Sequence, residues 1–300
     1  MPELPEVETI ARELRPLVLG ATITGFVTDW PRAIKHPDPD AFAAGVVGRE
    51  ITEVSRRAKW LVLELSGGMV LALQVKMTGQ VFVLPGGTPR DRHVHLAFQL
   101  ADDRELLVRD VRKFARIALY RRDEAGRALG ADEDTDVFDQ LGPEPLDPSF
   151  TLPVFRKLVR GRRARLKPLL VDQAFLAGVG NIYADEALWR AEIHPLTPAA
   201  TLGPDEVKAL YRSIRQALQA GLRRQGSTLR DYRLPDGGTG GAQHEFKVYG
   251  RGGEPCDRCG TPIDKIRVAG RGTWYCPSCQ RYAASRFSSR PSRSRRQSSV

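Results

Sequence analysis

The chain has 300 residues, which is enough for two domains with separate cores and one smaller module. Hydrophobic residues make up 41% of it, and no apolar run approaches the roughly 20 residues that cross a bilayer. The amino terminus also lacks the basic and then apolar pattern of a secretory signal. These features exclude a membrane protein and predict a cytoplasmic one, which we expect to be a monomer.

Lysine and arginine number 46 against 36 acidic residues, a net charge of +10. Such an excess favours a polyanionic partner, above all nucleic acid. Within the chain the densest basic cluster contains no acid and comprises Arg156, Lys157, Arg160, Arg162, Arg163, Arg165 and Lys167. A solvated helical face usually mixes the two signs, so this cluster predicts a surface that follows DNA phosphates.

In chain order, the first predicted element is a helix that begins near Pro5. Proline suits the first turn of a helix, where Glu6 also complements the helix dipole. Apolar residues then recur at helical spacing and predict a buried stripe of Val7, Ile10, Ala11 and Leu14. Pro16 and Gly20 are expected to end this helix.

The same segment also offers chemistry. If Met1 is removed, Pro2 carries a free secondary amine, which is partly neutral near its ordinary pKa of about 8. Condensation of a secondary amine with a sugar aldehyde gives a cationic iminium, which is an electron sink. Glu3 stands beside this amine as a candidate acid or base. The residues alone leave open whether the segment is only a helix start or also a catalytic site.

Short apolar segments separated by turns follow the helix. They predict strands at 22–28, 51–56, 60–65, 69–75, 81–84, 93–100, 105–108 and 117–121, with a helical insert at 40–47. This number and spacing of strands predict an antiparallel sandwich. Lys59 enters one of them and is either a surface lysine or a cation facing a phosphate or sugar. Met77, Arg112 and Phe114 fall at loop tips, where they are either core residues or a set that fills the gap left by an unstacked base.

Residues 126–149 are acidic and rich in proline and glycine, as is typical of an interdomain linker. Helical periodicity then returns at 153–160, 165–171, 181–191 and 204–225. Asn181 follows two glycines and can cap its helix, whose exposed amides also form a possible anion site. The glycine-rich segment at 229–244 is either disordered or functional.

All four cysteines fall in one short segment, as Cys256, Cys259, Cys276 and Cys279. Two pairs of this spacing predict one tetrahedral Zn2+ bound by four thiolates, rather than redox or disulfide chemistry. Arg271 lies at the tip of the predicted hairpin between the pairs. The serine- and arginine-rich residues 283–300 predict a disordered basic tail.

Residues 2–9, Pro-Glu-Leu-Pro-Glu-Val-Glu-Thr, resemble the amino-terminal motif of the formamidopyrimidine-DNA glycosylase family, and the later motifs follow in the family's order up to about residue 281. The resemblance implies a bifunctional DNA glycosylase and abasic-site lyase that acts on oxidised purines in double-stranded DNA. It implies catalytic roles for Pro2, Glu3, Lys59 and Arg271, and a void-filling role for Met77, Arg112 and Phe114. By the same resemblance, Lys167 and Asn181 would hold the DNA backbone beside the lesion. The basic cluster itself, without the resemblance, predicts that Arg162 binds DNA phosphate.

The expected fold class is α+β. An amino-terminal helix and a β-sandwich would occupy residues 1–125, and a helix–two-turn–helix domain residues 150–245. A zinc β-hairpin finger would follow at 246–282. Two alternatives remain, an endonuclease VIII-like enzyme for oxidised pyrimidines and a zinc protein that binds DNA without catalysis.

Four positions depart from the family's pattern. Gln74 stands where relatives often have histidine, and Lys76 where glycine is usual. Val111 replaces the proline that usually precedes the loop arginine, and Asp91 replaces a common DNA-contacting histidine. These departures concern contacts with the lesion and not the chemistry.

Overall fold

The computed structural model describes residues 2–129, 138–229 and 231–282. The predicted removal of Met1, the acidic run at 132–136 and the predicted disorder of the tail at 283–300 all lie outside these residues. Within the described ranges, no helix combines the length and the apolar character needed to cross a membrane.

Helix α1 (Leu4–Val18) joins the two halves of the molecule. Its predicted stripe of Val7, Ile10 and Leu14 is buried in the core of the sandwich, whereas Leu4 belongs to the core of the helical domain. The helix ends at Val18, between Pro16 and Gly20 as predicted, and Pro16 lies within its last turn. Proline here removes a single hydrogen bond close to the helix end, and the buried side chains on either side hold the last turn in place.

In the described part of the chain, the sandwich contains ten strands and one helical insert. They are β1 (Ile23–Thr28), β2 (Ile34–His36), α2 (Pro39–Val46), β3 (Ile51–Arg57), β4 (Trp60–Leu65), β5 (Met69–Gln74), β6 (Gly79–Pro85), β7 (Val94–Leu100), β8 (Arg104–Asp110), β9 (Arg116–Arg122) and β10 (Ala128–Leu129). One sheet has the order β1-β7-β8-β6, and the other has the order β10-β9-β5-β4-β3 with β2 paired to β9. The main apolar core contains side chains of both sheets and of α1.

All eight predicted strands are present, and their limits agree to within about two residues. Two strands were not predicted. Strand β2 runs parallel to β9, so the sandwich is not wholly antiparallel. Strand β10 pairs with β9, which adds residues of the predicted linker to the sheet.

The second half of the chain packs four helices around a separate core. They are α3 (Leu152–Val159), α4 (Leu166–Val171), α5 (Asn181–Arg190) and α6 (Pro204–Arg223). The hairpin of β11 (Asp264–Val268) and β12 (Arg271–Tyr275) follows. A small cluster that includes Trp189, Val248 and Ile263 joins the hairpin region to α5. The predicted α+β class is therefore confirmed, with a sandwich, a helical domain and a four-cysteine hairpin.

Candidate active site

Pro2 is buried at the start of α1 and lines a cavity of about 350 Å³ between the two halves of the molecule. Both halves contribute to its wall. The other lining residues are Glu6, Met77, Ile182, Ser227, Leu229, Asp231, Tyr232 and Tyr249. An organic group of modest size can therefore enter beside the amino-terminal proline.

The Glu3 carboxylate caps the amino terminus of α5. It accepts hydrogen bonds from the backbone N–H groups of Gly180 and Ile182, both at 2.8 Å, and of Tyr183 at 3.3 Å. A helix start is a favourable position for a carboxylate, since several N–H groups there lack partners within the helix. Gly180 is needed because a Cβ atom at that position would lie 2.4 Å from the Glu3 carboxyl carbon.

Glu6 is the second carboxylate of this site, within one helical turn of Pro2. It is fully buried and accepts hydrogen bonds from the Tyr183 hydroxyl at 2.7 Å and from the Ser227 N–H at 2.7 Å. Burial raises the pKa of Glu6, and the nearby charge of Glu3 adds to this effect. Glu6 thus ties the first turn of α1 to α5 and to the loop after α6. Its place between two other glutamates in the first eight residues was the only sequence signal.

The Lys59 side chain reaches from the turn before β4 to the helical domain, where its ammonium donates to the Val179 carbonyl at 2.9 Å. Burial lowers the pKa of Lys59, while the carboxylates of Glu3 and Glu6 act in the opposite direction. The Arg271 guanidinium lowers this pKa further. The Lys59 ammonium therefore lies at the carbonyl of Val179, the residue before Gly180, whose N–H binds the Glu3 carboxylate. The positive charge of Arg271 is close enough to influence it.

Arg271 lies at the exposed start of β12. The hairpin is fixed to α5 at this end, because the Asn181 side-chain amide donates to the Gly272 carbonyl at 2.9 Å. The Asn181 side-chain oxygen is buried and has no hydrogen-bond partner among the residues that the structure describes. Asn181 therefore positions the arginine hairpin, and it retains an unused acceptor at the start of α5.

The predicted role of Lys167 as a surface ligand for phosphate needs correction. Its side chain is 1% exposed, and its ammonium lies 2.6 Å from the Asp185 carboxylate. The other oxygen of Asp185 accepts the Trp274 N–H at 3.1 Å. Burial lowers the pKa of Lys167 and raises that of Asp185 to about 7. Lys167 is thus part of a buried link between α4, α5 and β12.

The remaining basic residues of the 156–167 cluster differ from Lys167, because all of them are exposed. Arg162 lies in the short segment between α3 and α4. The cluster, without Lys167, remains a predicted surface for DNA phosphates.

Three predicted void-filling residues from two separate loops lie together. Met77 and Phe114 are 44% and 42% exposed, which is unusual for side chains of this kind. The Arg112 guanidinium stacks 4.4 Å from the centre of the Phe114 ring. It also lies 3.8 Å from the Met77 sulfur. These residues form a projecting group next to the cavity, to which Met77 contributes a wall.

The structure shows the local setting of two of the departures from the family's pattern. Lys76 has φ of +53°, in the left-handed region that favours glycine. Asp91 forms an ion pair with Arg109 at 2.5 Å, and Arg109 in turn donates to the Gln80 side chain at 3.2 Å. The Asp91 carboxylate is thus paired within the protein. The histidine that relatives often have at this position is expected to contact DNA instead. Nothing in the structure explains Gln74.

The four cysteines form a metal site. Their sulfur atoms all lie within 4.8 Å of one another, and a tetrahedral zinc site with Zn–S bonds of about 2.3 Å places the sulfurs about 3.8 Å apart. The Trp189 indole N–H approaches the Cys256 sulfur at 3.4 Å, which supports a thiolate there. Since all four ligands are protein thiolates, no position is open for water, and the predicted zinc is structural.

Within the described residues, the glycine-rich segment packs against the sandwich. Tyr232 and Leu234 pack into the core of the sandwich, and the Tyr232 hydroxyl donates to the Glu6 carbonyl at 3.2 Å. Asp231 and Leu229 line the cavity, while Arg230 lies outside the described residues. The described part of the segment therefore contributes to the cavity wall.

Comparison with known proteins agrees with this arrangement. Family models match at residues 1–117 (formamidopyrimidine-DNA glycosylase N-terminal domain), 141–233 (formamidopyrimidine-DNA glycosylase H2TH domain) and 253–281 (zinc finger found in FPG and IleRS). A formamidopyrimidine-DNA glycosylase of Roseiflexus sp. is 48% identical over 94% of this chain and 100% of its own length. One of Chloroflexus aurantiacus is 48% identical over 93% of this chain and 98% of its own.

Solved structures give the same result. Lactococcus lactis Fpg in complex with DNA that contains an abasic site is 36% identical, covers 93% of this chain and 99% of its own, and has a TM-score of 0.83. The complex of wild-type Lactococcus lactis Fpg with DNA that contains N7-benzyl-Fapy-dG is 37% identical, covers 93% of this chain and 100% of its own, and has a TM-score of 0.84.

Proposed function

The chain belongs to the formamidopyrimidine-DNA glycosylase family, and from this we propose that it removes oxidised purines from duplex DNA and then cleaves the strand at the abasic site. The main support is the position of Pro2 in a cavity that Glu6 also lines, with the carboxylate of the adjacent Glu3 held at the start of α5. The relatives are bacterial, and we place the activity on the chromosome in the bacterial cytoplasm.

Recognition begins with eversion of the damaged nucleotide. The base leaves the stack and enters the cavity, because its reactive atoms cannot be reached within the duplex. Met77, Arg112 and Phe114 then occupy the vacated space. Their exposure and their mutual contacts support this role, since they project as one group beside the cavity.

Covalent catalysis follows at the sugar. The free Pro2 nitrogen attacks C1′, the bond from C1′ to the base breaks, and the base leaves with the bonding electron pair and takes up a proton. Glu3 delivers a proton to O4′ as the sugar ring opens, which gives an iminium between Pro2 and C1′. The iminium accepts the electrons of the C2′–H bond. Loss of this proton expels the 3′ phosphate, and a second elimination expels the 5′ phosphate.

The surrounding cations support these steps. Lys59 and Arg271 lie near Glu3 and carry positive charge to a place where phosphate and sugar oxygens would lie. Such preorganised charge stabilises developing anions in a site that excludes water. The thiolate-bound zinc gives order to the hairpin that carries Arg271, since so short a segment cannot form a sufficient core by itself.

The decisive experiment is borohydride trapping on a duplex with one abasic site. Wild-type protein is expected to give a covalent adduct that Pro2→Gly does not give. Pro16→Ala, an exposed proline of the same helix, is the matched control and is expected to trap normally. Tight binding without any adduct would favour the DNA-binding protein without catalysis.

Substrate choice needs a second assay, because trapping does not report the base. Excision from duplexes with 8-oxoguanine is expected to exceed excision from duplexes with thymine glycol. The opposite preference would favour the endonuclease VIII-like alternative, even if the Pro2 adduct forms.

A further inference from the structure

A single buried carboxylate, Asp110, organises the two loops that carry the projecting group. Asp110 ends β8 and is completely buried. One of its oxygens accepts the Thr78 hydroxyl and the Arg112 N–H at 3.2 Å. The other accepts the N–H groups of Phe114 and Ala115, both at 2.7 Å. All four donors come from residues at or next to the projecting side chains.

The chain positions of the donors matter because they belong to different loops. Thr78 directly follows Met77, whereas Arg112 and Phe114 are themselves two members of the projecting group. The exposed ends of these side chains contact mainly one another. Their relative position therefore depends on the loops beneath them. The Asp110 carboxylate holds both loops, through the Thr78 hydroxyl in one and through backbone N–H groups in the other.

The loop also needs such support for its own conformation. Lys113, between Arg112 and Phe114, has φ of +53°, which is unfavourable for a residue with a side chain. The N–H groups on both sides of Lys113 bind the Asp110 carboxylate. Val111 stands where relatives usually have a proline, whose ring would restrict the backbone of this loop. In this chain the conformation of the loop therefore depends more on its hydrogen bonds to the Asp110 carboxylate.

We infer that Asp110 is a positioning residue for base eversion, which sets the geometry of Met77, Arg112 and Phe114 before DNA binds. The inference rests on the proposed void-filling role of these side chains and deepens it. Asp110 itself does not touch DNA or the reacting atoms. Its loss should therefore slow insertion into the stack and spare attraction of the protein to undamaged duplex.

The test uses the full-length protein and a duplex with a fluorescent base analogue beside 8-oxoguanine. Rapid mixing follows the insertion phase, and single-turnover excision is measured on the same duplex. In Asp110→Asn, one of the two carboxylate oxygens is replaced by an NH2 group, which is a donor and cannot accept. In either orientation of the amide this group faces backbone N–H donors, of Arg112 or of Phe114 and Ala115. We expect insertion and excision to slow by at least about tenfold, because hydrogen bonds to a charged acceptor contribute at least that much each.

Three further variants separate positioning from a general structural role. Asp102→Asn, at an exposed turn between β7 and β8, is the matched control and is expected to behave as wild type. Thr78→Val removes one donor only and should slow insertion in the same direction but less. In a Phe114→Ala background, Asp110→Asn should add little, since the group that it positions is already incomplete.

The outcomes are distinguishable. Normal insertion by Asp110→Asn overturns the inference, as does a slowing that adds in full to that of Phe114→Ala. If Asp110→Asn does not fold, Thr78→Val decides, and wild-type insertion by that variant overturns the inference. If Phe114→Ala alone leaves the insertion phase unchanged, the proposed void-filling role fails first, and the inference fails with it.

Discussion

Substitution of Gly180 by alanine should inactivate the enzyme without weakening its hold on DNA. Gly180 is the residue before α5, with φ of −132°, so its backbone conformation is open to alanine. The obstacle is space, because the added Cβ would lie 2.4 Å from the Glu3 carboxyl carbon and 2.6 Å from Oε1. The carboxylate would have to move away by about an ångström to reach ordinary van der Waals contact.

The size of the effect follows from the contacts that this movement breaks. Glu3 would lose two hydrogen bonds of 2.8 Å, from the N–H groups of Gly180 and Ile182. Hydrogen bonds to a charged group contribute about 1.5–3 kcal/mol each. A loss of about 3 kcal/mol in the placement of Glu3 corresponds to roughly a hundredfold lower rate of base excision.

The assay compares Gly180→Ala with Gly203→Ala, the same change at the start of α6. There the added Cβ would meet its nearest neighbour, a Glu206 oxygen, at 3.6 Å, which is an ordinary contact. Single-turnover excision of 8-oxoguanine should fall only in Gly180→Ala. Affinity for a duplex with an uncleavable abasic analogue should be the same for both. Equal excision rates in the two variants would refute the claim that the site depends on this position of Glu3.

Three further predictions concern charge and metal. Asp185→Asn leaves the buried Lys167 without its partner and should lower the free energy of unfolding by about 3–5 kcal/mol. The double variant Lys167→Met/Asp185→Asn should lose less of this free energy. Denaturant titration measures both. Burial lowers the pKa of Lys59, so its ammonium loses the proton at a lower pH than that of an exposed lysine. Lyase activity should therefore fall on the alkaline side of the pH–rate profile. An unchanged alkaline limb of that profile in Lys59→Ala would contradict this. Elemental analysis should find one Zn2+ per chain in the wild type and none in Cys259→Ser, which should also bind DNA more weakly. Retention of the metal and of DNA binding by this variant would disprove the assigned site.

The secondary structure was largely predictable, because alternating and helical patterns extend over whole elements. Strand β2 was missed for a physical reason. It has only three residues, prolines stand on both sides of it at 31 and 37, and it is stabilised by pairing with β9, which lies far along the chain. The end of α1 was predictable to the interval between Pro16 and Gly20, and within that interval the buried Val18 extends the helix past Pro16.

The site was predictable where its chemistry depends on residue type and spacing, as for the cysteines and the amino-terminal proline. It was not predictable where function depends on partners from distant elements. Lys167 belongs to a basic run in the sequence, but its environment is determined by Asp185 on another helix. One signal was available, since Asp185 and Glu186 are adjacent acids among apolar residues of α5, and both turn out to be buried. Asp110 gave no comparable signal beyond its place at a strand end.

The division of α1 between two cores limits how this protein can be re-engineered. Leu4 fills the helical core, and Glu3 supplies the acceptor for the first N–H groups of α5, while the remainder of the same helix packs in the sandwich. A helical module excised at the linker and fused to a foreign scaffold would lack both a core side chain and a cap. Grafts of the DNA-binding half should therefore carry a copy of the first turn of α1.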